Sequence, residues 1–264
     1  MKPTHAFAIP AYGHSPYLAD CVASIRAQIE PCERIYLCTS TPSDALRELA
    51  AREGLIYRVN TQRQGIGRDW NFALEAAEAD WVTLAHQDDL YDSRYVQRIR
   101  ECLTLEPRAS FAFTDFIEFD ARGQRPVNIN VRIKRLLARS AFRGRSAIHA
   151  PRDKRQLLRW GNPVCCPSVT LNRAAWPDFR FAEDWGINLD WDAWDRLSRL
   201  DAPIVWEPTP LVVHRVHDQS ETTRGIADTR RLQEDRAMFR RYWSPVMAQF
   251  ISRIYRASYA ANRT

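Results

Sequence analysis

The hydrophobic pattern of the first half of the chain changes period repeatedly. A short apolar run over residues 5–10 is stopped by Pro10. Over 17–29, Leu18, Cys21, Val22, Ile25 and Ile29 recur at helical spacing. RIYLC at 34–38 reads as a second strand, followed by a polar turn in which Ser43 can cap a helix over 45–53. Gly54 ends that helix, and LIYRV at 55–59 reads as a third strand. The series continues with a helix over 68–79, a strand WVTLA at 81–85 running into HQDD, a helix over 91–105 and a strand over 110–115.

Repeated strand–helix units predict an α/β fold with a mostly parallel sheet flanked by helices. Ligands in such sheets bind beyond the carboxyl ends of the strands. That directs attention to four loops, at 10–14, 39–43, 60–68 and 86–89. The second half is different. Residues 131–145 hold six basic residues and no acid. A Pro/Cys segment at 162–167, an acidic-aromatic segment at 181–194 and HRVH at 214–217 follow. From 228 onward the chain reads as a basic amphipathic helix broken at Pro245. There is no internal repeat and no long linker.

Composition narrows the class without choosing a function. With 264 residues, 45% hydrophobic and 27% charged, the chain is expected to be globular with a sizeable core. No apolar run approaches the roughly 20 residues of a membrane-spanning helix. AFAIP after Lys2 ends at Pro10, too soon for an export segment, so a cytoplasmic location is expected. The six cysteines form no CxxC pair or zinc spacing and are expected to be reduced and mostly buried. The net charge of +6 suits an anionic ligand, an anionic membrane surface or nucleic acid.

Asp88 and Asp89 carry the first chemical signal. Adjacent carboxylates after an interior strand repel each other unless a cation lies between them and a partner. Mg²⁺ or Mn²⁺ suits oxygen ligands, and a diphosphate can complete the shell. An Asp at the start of the next helix is equally a common N-cap. The string VTLAHQDDLY resembles the metal-binding segment of family 2 glycosyltransferases, which are GT-A enzymes; His86 stands where the longer form of that segment has an acid. The resemblance implies that Asp88 contacts the donor ribose or the metal, with Gln87 beside it in the donor site, and that Asp89 binds the metal. FAIPAYGHSPYLADCVASI resembles the family's first strand and nucleotide-binding turn, so Pro10, Ala11 and Tyr12 are implied to line the base and ribose. Thr39 and Ser40 occupy the place after the second strand where the family usually has acids. NTQRQGIGRDWNFAL resembles its glycine-rich loop, implying close backbone approach at Gly65 and Gly67, diphosphate contact by Arg68 and donor contact by Asn71.

Sugar transfer also needs a base for the acceptor hydroxyl. LDWDAWDRLSRL resembles the family's acidic segment, which implies Asp190 as the base, with Leu189 in place of the usual Glu and Trp191 packed beside it. AEDW at 182–185 is a rival alignment that would put Asp184 in that role; the apolar stripe of Trp191, Trp194 and Leu197 favours Asp190. HRVHDQS resembles a segment in which Arg precedes His by two, implying His217 as a metal or diphosphate ligand and Arg215 as a phosphate contact. An imidazole ligand favours Mn²⁺ over Mg²⁺. His214, Cys165 and Cys166 read as packing residues, and Trp160 as a core tryptophan.

The resemblance covers about residues 5–220 and implies a GT-A domain over 1–225, with a nucleotide-binding half at 1–115 and an acceptor half at 116–225, then a basic amphipathic helical extension at 226–264. It implies inverting transfer from a nucleoside-diphosphate sugar, UDP favoured with thymidine or guanosine donors open, to a glycan or lipid-linked acceptor in surface polysaccharide synthesis. Peripheral membrane contact by the basic stretches is compatible with that role; nucleic acid is not an expected partner. A sugar nucleotidyltransferase would want a lysine in the first loop, which Ala11-Tyr12-Gly13 lacks. A degenerate GT-A protein that binds a nucleotide or partner is the remaining alternative, kept open by His86, Thr39 and Leu189.

Overall fold

The computed structural model describes residues 3–62, 65–217 and 229–260, with backbone alone at 257–260. Residues 63–64 of the glycine-rich loop, 218–220 of the HRVHDQS string and the start of the C-terminal stretch lie outside the described residues. The first half alternates as His5–Ala11 (β1), Leu18–Arg26 (α1), Arg34–Thr39 (β2), Asp44–Arg52 (α2), Ile56–Val59 (β3), Ile66–Ala76 (α3) and Trp81–Leu84 (β4). The Ser43 side chain accepts from the Leu46 N–H and caps α2, as its position predicts. There follow Leu90–Tyr91 (β5), Tyr95–Leu105 (α4), Phe111–Asp120 (β6), Gly123–Gln124 (β7), Ile129–Phe142 (α5), Ala147–Ile148 (β8) and Pro151–Leu158 (α6). A short 3₁₀ turn at Cys166–Ser168 leads into Val169–Asn172 (β9), Leu189–Ser198 (α7), Ile204–Arg215 (β10), Thr229–Arg240 (α8) and Pro245–Ala260 (α9).

The strands form one sheet in the order β3-β2-β1-β4-β9-β6-β10-β5, with β7 on β6 and β8 on β10. β3, β2, β1 and β4 run parallel because a helix carries the chain back between successive strands. Beyond β4 the sheet is mixed. β9 enters antiparallel to both β4 and β6, while β6 and β10 are parallel. The sheet is thus mostly parallel along its main path, as expected, with the parallel pairs concentrated in the first half of the chain and one more between β6 and β10.

Side chains of β1 alternate between two cores. Phe7, Ile9 and Ala11 meet Val22, Ile25 and Leu37 on one face, and Ala6 and Ala8 meet Tyr36, Trp70 and Val82 on the other. The first core takes the buried faces of α1, α2 and α4; the second takes α3, α7 and the C-terminal helices. Register places Ala11 beside Thr39 and Ala8 beside Leu84, so Tyr12, Ser40 and Ala85-His86 leave the sheet at the same edge.

Three local expectations are corrected. The helix expected over 91–105 begins at Tyr95, because Leu90 and Tyr91 pair with Val213 and Val212 of β10 and the Tyr91 hydroxyl donates to the Pro167 carbonyl at 2.7 Å. The strand expected over 110–115 extends to Asp120, because β10 offers a long parallel partner. Trp160 is not a core residue: it is 37% exposed, with its ring 4.3 Å from Trp243 and the Arg159 guanidinium over both.

The C-terminal helices share the main core. Met238, Phe239, Tyr242, Ala248 and Ile251 are buried in it. Arg241 donates to Asp192 at 2.6 Å and to Asp195 at 2.9 Å, and the Tyr242 hydroxyl donates to Asp195. These bonds tie the C-terminal segment to α7. All six cysteines are free thiols, four of them buried. Among the described residues, no helix is long and apolar enough to cross a membrane.

Candidate active site

The loops at the carboxyl edge of the parallel strands are tied together by their own side chains. The Gly13 N–H donates to Thr41 Oγ1 at 2.7 Å. Tyr12 exchanges two bonds with Gln87, its N–H to Oε1 and its carbonyl from Nε2, both at 3.2 Å. Ser40 Oγ donates to Asp69 Oδ2 at 3.0 Å and Asn60 Nδ2 to Asp69 Oδ1 at 3.1 Å. Thr39 is buried and caps the Thr41 N–H at 3.0 Å. Pro10 and Ala11 form the last residues of β1, and the Tyr12 ring stands exposed beyond them. Asp69, which no motif singles out, links the second and third loops.

Asp88 and Asp89 sit in the turn after β4, and β10 closes over them. Asp89 is 1% exposed. Its Oδ1 accepts from the Arg215 N–H at 2.8 Å and lies 3.1 Å from His214 Nδ1. Its Oδ2 is 3.9 Å from His86 Nδ1 and has no hydrogen-bond partner. Burial pushes the Asp89 carboxyl up, but the charge and hydrogen bond of His214, the His86 charge and the Arg215 N–H outweigh it, so Asp89 is held below the usual carboxylate range. His214 moves the other way: burial opposes its charge, yet Asp89 raises it above the usual imidazole value. Asp88 takes a hydroxyl bond from Ser15 at 2.8 Å on Oδ1, and its Oδ2 lies 3.2 Å from His217 Nε2. Arg215 Nε donates to the Asp88 carbonyl at 3.0 Å, and its guanidinium lies 4.2 Å from the Tyr17 ring centroid. The histidine read as packing, His214, is thus a direct partner of Asp89.

Asp190 occupies the first turn of α7, after the N-cap Asn188. Its Oδ1 accepts from the Trp191 N–H at 2.7 Å and its Oδ2 from Asn162 Nδ2 at 2.8 Å. Burial pushes its carboxyl up to about 6, a rise that the Trp191 N–H, the positive charges of Lys134 and Arg231, and the Asn162 amide only partly offset. Cys165 and Cys166 feel both Asp89 and Asp190, which places the two carboxylates around the same Pro/Cys segment. Asp184 differs: it is exposed, and its carbonyl accepts from Arg230 at 2.7 Å.

The loop leading to Asp190 is held from behind. One Glu234 carboxylate accepts the N–H groups of Gly186, Ile187 and Asn188 at 2.8–2.9 Å, and Asp235 accepts the Asn188 amide at 2.8 Å. The start of α3 packs on the segment just upstream. A Cβ on Gly67 would lie 3.0 Å from the Ala182 carbonyl, so the glycine admits that backbone. Arg68 pairs with Glu183 at 2.8 Å. Both ends of the buried Asn71 amide bond the Phe181 peptide, at 2.7 and 3.0 Å, which makes Asn71 a bracket between α3 and the acidic segment. Gly65 precedes α3 as its N-cap residue. Lys134 of α5 projects from the basic segment, its Nζ 5.3 Å from the Phe116 ring, and its charge reaches Cys165, Asp190 and His214.

The order of these elements matches a known sequence family. Residues 6–176 match the profile of glycosyl transferase family 2. The chain belongs to that family. No curated protein sequence matches the chain at a significant level. Among solved structures, the 1–349 fragment of S. aureus TarS is similar at a TM-score of 0.64 and 14% identity, over 94% of this chain and 69% of that one. The same fragment in complex with UDP-GlcNAc gives 0.64 and 14%, over 94% and 70%. The mannosyltransferase PcManGT from Pyrobaculum calidifontis, in complex with GDP-Man and Mn²⁺, gives 0.63 and 15%, over 99% and 76%. At these identities the likeness speaks for the fold: this family 2 chain has the GT-A architecture, a central sheet flanked by helices.

Among the described residues, no group of three or more His, Cys, Asp or Glu side chains is arranged to hold a metal ion. The acidic turn does offer the hard oxygen atoms that a divalent cation takes. Asp89 Oδ2 is buried and has no hydrogen-bond donor among the described residues, and the neighbouring Asp88 Oδ2 lies 3.2 Å from His217 Nε2.

Proposed function

We propose that this family 2 glycosyltransferase moves a hexosyl or N-acetylhexosaminyl group from a nucleoside-diphosphate sugar, UDP-sugar favoured, to a hydroxyl of a glycan or lipid-linked acceptor, with inversion. The observation that carries the reading is two carboxylates around one Pro/Cys segment in opposite surroundings: Asp89 is bonded by the Arg215 N–H and faces His214, which hold it low, whereas Asp190 is bonded by the Trp191 N–H and the Asn162 amide and is raised to about 6. Environments that push two acids apart assign them different work.

Asp190 accepts the proton of the acceptor hydroxyl as its oxygen bonds the anomeric carbon. The bond from that carbon to the diphosphate oxygen breaks on the opposite side, and the nucleoside diphosphate leaves. A value of about 6 keeps Asp190 mostly ionised at neutral pH while leaving it basic enough to share the proton. Asn162 and the Trp191 N–H orient the carboxylate. At the donor end, Tyr12 offers an exposed ring to the base, with Pro10, Ala11, Thr39, Ser40 and Gln87 shaping the base and ribose pocket. Gly65 and Arg68 border the diphosphate, and Arg215 braces the acidic turn while adding positive charge. We assign Asn71 to holding the acidic segment in place. Asp89 and His217, with Asp88 beside them, would hold Mn²⁺ or Mg²⁺, which supplies a Lewis-acid charge for the leaving diphosphate when bound. Imidazole favours Mn²⁺. Surface polysaccharide synthesis in the cytoplasm is the setting that suits such an acceptor.

The test is product analysis with a panel of UDP-, GDP- and dTDP-sugars and Mn²⁺. Release of nucleoside diphosphate from one donor, with sugar on the acceptor, is the expected result. Nucleoside triphosphate formation from a sugar nucleotide and pyrophosphate would point to nucleotidyl transfer, and no turnover of any donor would overturn the reading.

A further inference from the structure

Two helices next to the cleft show large apolar side chains to solvent. In α9, Ala248, Ile251, Ser252 and Tyr255 face the core, while Val246, Phe250 and Ile254 are 81%, 60% and 58% exposed. These three recur every four residues, so they form one outward stripe, with Met247 on its flank. Arg253 and Arg256 are exposed along its other edge. In α5, Val131, Ala138 and Phe142 face the core, while Ile129, Ile133 and Leu136 are exposed, Leu136 at 65%. Arg132 and Arg139 run along the edge of that stripe. Neither helix contains an acidic residue. Among the described residues, no carboxylate lies within ion-pair distance of Arg132, Arg139, Arg253 or Arg256.

An outward apolar stripe edged by exposed arginines is unusual on a water-facing surface. Exposed large apolar groups in a row mark an interaction site. A protein partner would meet them with apolar groups and scattered acids, whereas a leaflet bearing anionic headgroups meets both features at once along a helix lying in its plane. Position adds a reason. On its inner side α9 sets the Tyr255 ring against Gly161, where a Cβ would lie 3.1 Å from Tyr255 Cε2, next to the Asn162 that holds Asp190. On its inner side α5 sends Lys134 toward Phe116 and the His214 end of the cleft. The bonds from Arg241 and Tyr242 to α7, and from Glu234 to the loop before Asp190, tie the C-terminal helices to the proposed base.

We propose that the outward face of α9, with that of α5 as a second contact, docks on an anionic phospholipid surface and thereby presents the Asp190 end of the cleft to acceptors carried in that surface. The docking does not depend on the chemistry of the cleft; the delivery of acceptor rests on the transferase reading, so vesicle binding and donor turnover fail independently.

The experiment is flotation of the full chain with phosphatidylcholine vesicles with and without phosphatidylglycerol, at low and high salt. The protein is expected to float with phosphatidylglycerol vesicles, to float less at about 0.5 M salt, and to stay with the buffer in pure phosphatidylcholine. F250S/I254S, at exposed positions that keep the fold, is expected to lower the floated fraction about tenfold with an unchanged thermal melt. R253E/R256E is expected to abolish the preference for the anionic lipid. Failure of the wild type to float, or flotation of F250S/I254S like the wild type, overturns the proposal. Unchanged flotation of I133S/L136S removes α5 from it. A concentration-dependent dimer in sedimentation that F250S/I254S dissolves, with no vesicle binding, assigns the face to a second copy of the chain instead and also overturns it.

Discussion

Asp89 and Asp190 lie around the same Pro/Cys segment, yet their surroundings are opposite. Asp89 is the more enclosed of the two, and burial alone would neutralise it. His214, His86 and the Arg215 N–H surround it with positive potential and hold it ionised. Asp190 is bonded by one backbone N–H and one neutral amide, and the charges of Lys134 and Arg231 act on it without a hydrogen bond; burial prevails there and lifts it to about 6. The lesson is that depth does not set the role of a buried carboxylate. The charge of its neighbours does. The histidine-lined acid suits a permanent negative charge at the donor end, and the amide-lined acid suits proton traffic at the acceptor end.

The largest expected effect comes from removing the movable proton. Asp190→Asn should lower kcat about 10²–10⁴-fold while nucleotide affinity stays within error. A loss of affinity matching the loss of turnover would break the division of labour. Next is His214→Ala, which strips Asp89 of its main counter-charge. Metal-assisted donor affinity should fall about 10–100-fold, and stability by about 1–3 kcal/mol because Asp89 keeps only one donor. The Asp89–His214 pair also predicts a window in the pH dependence of Tm. Asp89 is lowered on folding, so its contribution is lost as pH falls through that lowered value; His214 is raised, so its contribution is lost as pH rises through the raised value. The His214→Ala melt should be flatter across that window, and an identical profile would show the pair to be inert.

Gly67→Ala tests the bracket between the halves. The new Cβ meets backbone at 3.0 and 3.1 Å, which cannot move aside as a flexible side chain would. Thermal denaturation should report about 1–3 kcal/mol of destabilisation. The smallest effect is expected from Asn162→Ala. The Asn162 bond lowers Asp190, so its loss should move the rising limb of the pH–rate profile above its wild-type midpoint near 6. A limb that shifts downward, or is absent from the wild type, would remove Asp190 from the proton path.

The sequence makes the first half of the fold legible for a physical reason. Strands such as β1 and β4 are short apolar runs bounded by turn residues, and Ser43 marks a cap that forms as expected. What escaped depends on contacts distant in sequence. Tyr91 looks helical, yet β10 recruits it as an edge strand across more than a hundred residues. His214 reads as packing because its partner Asp89 lies 125 residues earlier. Asn71 carries a donor role by resemblance, and the sequence does not show that its amide also bonds backbone 110 residues away. Glu234 gives no signal in a helix rich in charge, although its carboxylate gathers three consecutive N–H groups ahead of Asp190. Trp160 reads as a core residue because tryptophan usually is one; it is instead 37% exposed, tilted against Trp243 with the Arg159 guanidinium over its ring.

The most direct measurement is a thermal-shift titration of wild type, Asp89→Asn and Asp190→Asn with UDP, GDP and dTDP, each with and without Mn²⁺. A nucleotide at about 100 times its Kd adds roughly 2.7 kcal/mol to the folded state, a readily seen rise in Tm. Metal-dependent stabilisation by one nucleotide in the wild type and in Asp190→Asn, and its loss in Asp89→Asn, is the predicted result. Stabilisation that survives in Asp89→Asn but disappears in Asp190→Asn, or that no nucleotide produces in the wild type, would contradict it.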